Sequence, residues 1–210
     1  MHGRIWFPGN PWPDGHGLSE FAWSGRLDRR GRLWFDLHLR TLPYADEVGP
    51  RPGTDVESGW ASASTWTAYD RATLSSTFWP DAATGVLAAT RSIPFRFGDF
   101  RPQIRAADPL PVDPEGKPAV NLYLFGPGAV AEHEIEFTRQ PAGGFTIVWT
   151  GRINPTPGAS PVFDHEFRAE VSDVEFGPVR IPDGMPAREA LVLLEKLIDP
   201  ADTGTRFRLA

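Results

Sequence analysis

The sequence predicts a mainly β fold, either an antiparallel β-sandwich or a partly open β-barrel with one C-terminal α-helix packed on it. Three observations predict it. Apolar residues recur at every second position over much of the chain, the period of a half-buried strand. The 22 Pro and 21 Gly demand many short connections, because Pro is excluded from helix interiors and central strands. Helical periodicity is confined to one segment near the C-terminus. A chain of 210 residues suits one domain over residues 1–210, since sandwiches and barrels commonly reach this length.

The N-terminal run Trp6-Phe7-Pro8-Gly9-Asn10-Pro11-Trp12-Pro13 precedes the first clear strand. Its apolar rings predict a segment that docks on its own domain and clasps a sheet edge. Leu18–Leu27 places Phe21, Trp23, Gly25 and Leu27 on one face, and Arg32–Arg40 does the same with Leu33, Phe35, Leu37 and Leu39. Trp34, Asp36, His38 and Arg40 take the other face. Asp28-Arg29-Arg30-Gly31 between the two strands has hairpin length. Residues 41–59 carry four acids and three Pro without periodicity, which predicts a long surface loop.

Trp60–Tyr69, Leu74–Trp79 and Gly85–Arg91 read as three shorter strands. Repeated Pro in 97–118 forbids a regular strand of any length, so this stretch reads as a linker or a wrapping arm. Val120–Phe125 is apolar on both sides apart from Asn121, as in a strand covered on both faces. A meander follows: Glu132–Arg139, Phe145–Ile153 and Val162–Phe176, with inward faces built from Ile135 and Phe137, from Ile147 and Trp149, and from Phe163 and Phe167. The helix begins at Pro186, suited to a first turn, and stops at Asp199-Pro200. Ala187, Ala190, Leu191, Leu194, Leu197 and Ile198 give it an apolar stripe, widened by Val192 and Leu193.

Composition narrows the function classes. A net charge of −6 is the wrong sign for holding a phosphate backbone, so nucleic acid is not an expected partner. No run approaches the roughly 18 apolar residues of a membrane span, and the N-terminus lacks the apolar core of a signal peptide. The absence of Cys removes disulfides and thiol chemistry and suits a reducing compartment, which points to the cytoplasm. No G-x-S-x-G elbow, H-E-x-x-H, EF-hand loop or Walker sequence is present. The stretch Phe125–Glu132 holds two glycines but runs into a strand, so it lacks the helix N-terminus a phosphate loop needs. Asn154-Pro155-Thr156 is barred from glycosylation by its Pro.

Two histidines stand out, because alternation puts His133 beside Ile135 and Phe137, and His165 beside Phe163 and Phe167, on apolar faces. Pairing Phe137 with Ile147 sets His133 opposite Gly151, and pairing Ile153 with Phe163 sets Gly151 opposite His165. In that register two imidazoles flank a glycine with Cα atoms roughly 9.6 Å apart. A metal or ligand held by His133 and His165 would sit over Gly151, since imidazole is a common metal ligand and an interior strand Gly often marks a close approach to the backbone. In the alternative reading each is a core histidine hydrogen-bonded to a neighbour, and Gly151 marks a bulge that breaks this register. A usual zinc site needs a third protein ligand, which no spacing supplies. The glutamates on the opposite face, including Glu132, Glu134 and Glu166, read as a solvated sheet surface.

The leading expectation is a non-catalytic binding or interaction protein. Its aromatic-lined sheet or barrel mouth, with Trp23, Trp149, His133 and His165 as candidate binding residues, would hold a small apolar ligand or part of a protein partner. An enzyme or carrier with an internal His-based metal or cofactor site is a second reading. A structural or oligomerising module is a third, and no motif specifies a cofactor.

Overall fold

Three strands organise the chain in the computed structural model, which describes residues 1–47, 59–67, 70–97, 103–113, 115–141, 143–155, 162–198 and 207–210. These strands are β2 (His16–Leu27), β3 (Leu33–Thr41) and β8 (Pro127–Arg139). With β1 (His2–Trp6), β4 (Thr73–Ser75), β7 (Asn121–Tyr123), β9 (Phe145–Asn154) and β10 (His165–Val174) they form an eight-stranded antiparallel barrel. Its order is β2, β1, β10, β9, β8, β7, β4, β3, closing on β2. Each of these three, β2, β3 and β8, also takes a partner outside the ring. β11 (Val179–Arg180) lies parallel to β2, β5 (Val86–Ala89) pairs with β3, and β6 (Ile104–Ala107) pairs with β8.

The barrel is filled by the alternating apolar faces. Leu33, Phe35, Leu37, Leu39, Ile135, Phe137 and Ile147 are all fully buried. Trp23 on β2 meets Phe137 on β8 at 4.6 Å and Phe145 on β9 at 5.2 Å between ring centroids, so contacts cross the lumen. Phe35, Phe97 and Phe176 surround the same indole. Each ring fully removed from water contributes about 1.5–3 kcal/mol, and tilted or edge-to-face geometry adds to that.

Local chemistry explains the turns. Asp28 accepts hydrogen bonds on Oδ1 from the Arg30 and Arg32 N–H groups, and Gly31 adopts a positive φ of 71° to close the β2–β3 hairpin. α2 (Ala187–Leu197) starts after Pro186 and buries Ala190, Leu193, Leu194 and Leu197. Leu193 packs against Gly31, and the Phe95 N–H donates to the Leu197 carbonyl at 2.8 Å. The helix therefore sits at the barrel end that carries the β2–β3 turn. Among the described residues no helix is long and apolar enough to cross a membrane.

Several local expectations are corrected. Of the strand expected over 60–69, residues 60–67 do not form one and 68–69 lie outside the described residues: a 3-10 turn at Gly59–Ala61 leads into the short helix α1 (Ala63–Thr67). The small residues there tolerate helix, and Trp66 donates through Nε1 to the Trp60 carbonyl at 2.7 Å, which ties the two turns together. The strand expected over 74–79 is only β4, because Ser75 Oγ accepts from the N–H groups of Thr77 and Phe78 and turns the chain. β7 alternates, with Leu122 buried and Tyr123 45% exposed, so it is not covered on both faces. The Pro-rich stretch does hold a short strand, β6, in its Pro-free part. The N-terminal segment contributes β1, with Phe7 and Trp12 buried beyond it. Residues 48–58 of the acidic loop lie outside the described residues.

Candidate functional site

The meander follows the expected pairing of Phe137 with Ile147 and then departs from it. Ala131 faces Arg152 and Glu134 faces Thr150, so Glu132 and His133 together oppose Gly151. This is a β-bulge, with Glu132 at a φ of 51°. On the other side Gly151 faces Phe167, while His165 faces Ile153. The two-histidine row over Gly151 is therefore corrected: β10 is paired two residues further along than counted, and the close approach to the glycine backbone is made by Phe167. A Cβ at Gly151 would lie 2.7 Å from the Phe167 ring.

The two histidines serve different surroundings. His165 stacks on Trp60 at 3.9 Å between centroids with planes 8° apart, and its Nε2 lies 3.5 Å from Asp164. His133 is fully buried, and its Nδ1 accepts from Trp149 Nε1–H at 3.1 Å. An indole N–H can only donate, so in the neutral ring the imidazole proton resides on Nε2. That Nε2 has no hydrogen-bond partner among the described residues and points toward Asp108 Oδ2, 3.7 Å away. Trp149 thus orients His133, whereas Trp23 lies in the lumen cluster away from it. Among the described residues no three His, Asp or Glu side chains are placed to hold a metal.

Asp108 occupies an unusual backbone position. It precedes Pro109, where extended conformations are favoured, yet its φ is 55°. Three contacts hold it there. Its carbonyl accepts from the Glu132 N–H at 2.8 Å, its Oδ2 accepts from the Ala119 N–H at 2.7 Å, and Ala107 before it pairs with His133. The signal available in sequence was the Asp-Pro step, which marks a turn but not its hand.

Beyond Asp108 the Pro-rich arm and β8 line a half-open cavity of about 300 Å3. Pro109, Pro111, Val112, Pro118, Ala129 and Val130 make it mainly apolar, and Asp108, Asp113 and Lys117 supply charge. A largely apolar hollow with a few fixed polar groups is the usual character of a small-molecule site. The Pro-rich stretch is thus a wall, formed by an arm wrapped along the barrel.

Two other polar clusters are present. His16 is fully buried among Phe7, Trp12, Tyr44 and Trp66, with ring centroids 4.3–6.0 Å from its own. Asn10 Oδ1 accepts from the Trp12 N–H, so Asn10 Nδ2 donates to His16 Nε2 at 2.9 Å. Burial, and then the positive charge of Arg4, lower the His16 pKa to about 4. The imidazole itself fills this cage. Elsewhere Ser75 Oγ, His38 and Glu20 form a row, with His38 Nδ1 3.0 Å from Ser75 and His38 Nε2 3.1 Å from Glu20. Ser75 is buried and its Oγ already accepts two backbone N–H groups, so this row fixes a turn instead of presenting a nucleophile.

Comparison with known proteins finds no matching family model, no matching curated protein and no matching solved structure.

Proposed function

We propose that the chain is a non-catalytic binding protein that takes a small, largely apolar molecule into the cavity between the Pro-rich arm and β8. The observation that carries this reading is the cavity itself. A hollow of about 300 Å3 has three prolines in its wall and ends on a carboxylate held in a left-handed backbone conformation by hydrogen bonds to two other segments. Backbone strain of this kind costs on the order of 1–3 kcal/mol and clusters at binding sites.

Burial weighs against an acid–base role for His133. One ring nitrogen accepts from Trp149, the other faces Asp108, and the ring is fully buried, so no edge is open to a substrate. The absence of Cys suits the reducing cytoplasm as the place of action.

Native mass spectrometry of the purified protein, before and after denaturation, tests the reading. The expected result is a bound small molecule, or a rise in melting temperature on adding small apolar compounds. Val112→Trp, which fills the cavity from the arm side, abolishes either signal. A clean mass together with an unchanged melting temperature across such compounds overturns it.

A further inference from the structure

Asp108 is a fixed carboxylate in an apolar wall. Among the described residues His133 Nε2 lies beside it at 3.7 Å, which is beyond hydrogen-bond length. The Asp108 side chain is only 22% exposed, and a carboxylate partly withdrawn from water gains from a hydrogen-bonded or charged partner. The Ala119 N–H supplies one bond, to Oδ2. No Lys or Arg among the described residues lies within ion-pair distance of Asp108. The wall as a whole carries Asp108 and Asp113 against Lys117, one negative charge in excess.

Resting on the cavity reading above, we propose that this site selects a cation: a small primary ammonium compound with a compact apolar body. The ammonium donates to the Asp108 carboxylate. The apolar body lies against Pro109, Pro111, Val112 and Val130. Asp108 is pre-positioned for this, because its backbone is pinned by Glu132 and its carboxylate by Ala119, so little ordering is required on binding. His133 acts behind Asp108 as a positioning residue: its Nε2 faces the carboxylate from within the barrel, and Trp149 fixes the ring.

Benzylammonium, benzyl alcohol and benzoate share one apolar body and differ in charge, so they separate the cation from the cavity. Calorimetric titration of the full chain at pH 7 and constant ionic strength should show benzylammonium binding about tenfold or more tighter than benzyl alcohol, the range of a charge-assisted hydrogen bond. Benzoate should not bind. Asp108→Asn keeps an acceptor for the Ala119 N–H and tolerates the left-handed backbone, and should bring benzylammonium to the affinity of benzyl alcohol. Equal binding of benzylammonium and benzyl alcohol to the wild-type protein overturns the selection of a cation while leaving the cavity as a site. Unaltered benzylammonium affinity in Asp108→Asn also overturns it. No binding of any of the three overturns the proposal, and the cavity reading falls with it if Val112→Trp leaves every melting response unchanged.

Discussion

At the scale of single residues, burial decides what each histidine does. His16 has exchanged water for Phe7, Trp12, Tyr44 and Trp66, and its pKa falls from 6.5 to about 4, chiefly through burial and secondly through Arg4. In the unfolded chain the same ring takes up a proton near its ordinary pKa, so the unfolded state binds more protons between these values. Stability from this residue is complete above pH 6.5 and is lost as the pH falls toward 4, by up to about 3 kcal/mol. Urea unfolding at pH 7 and pH 4.5 should show this loss in the wild-type protein and a much smaller one in His16→Phe, which keeps a ring in the cage. Equal losses in the two proteins would sink the assignment. Nothing in the sequence announces this cage, because its rings come from three separate segments and His16 itself sits in Asp-Gly-His-Gly. Asp108 was hidden for a related reason: the hand of its backbone is set by Glu132 and Ala119, both distant along the chain.

At the scale of elements, alternation was legible wherever a strand is long enough to show it. β2, β3, β9 and most of β8 and β10 follow from their period, and α2 from its stripe and its flanking prolines. β1, β6 and β11 were not legible, since two to five residues carry too little pattern and such strands are held by their partners. The bulge in β8 leaves His133 opposite Gly151, and the two-histidine row was undone on the other side, where β10 pairs two residues further along and brings Phe167 to the glycine. Gly151 exists for packing within this meander. Its missing side chain leaves room for Phe167, and Gly151→Ala would force a Cβ to within 2.7 Å of that ring. The expected cost is about 1–3 kcal/mol, as for other overpacked cores. Adding Phe167→Leu to Gly151→Ala should recover part of it, so the double-mutant cycle reads a coupling. Simple additivity in thermal or urea unfolding would show that the ring does not set the glycine.

At the scale of the molecule, sandwich and barrel were both compatible with the alternation, and β2, β3 and β8 serve two sets of partners. β2, β3 and β8 join the ring through β1, β3, β4, β7 and β9, and they carry β11, β5 and β6 outside it. Closure rests on β1, the one strand seated between β10 and β2: Ile5 pairs with Ala169 on one side and His16 on the other. A closed barrel has no free edge, whereas an opened one exposes two rows of unpaired backbone groups. Ile5→Pro removes a ladder donor at this seam and misfits the strand. Hydrogen exchange of this variant should show lost protection on both neighbours, over 168–172 in β10 and at 16–17 in β2, while β9 against β8 keeps its protection. The opened edges should also promote self-association, visible as a larger mass by light scattering. Retained protection at 168–172 would mean that β10 is held by β9 alone and that β1 closes the barrel without stabilising it.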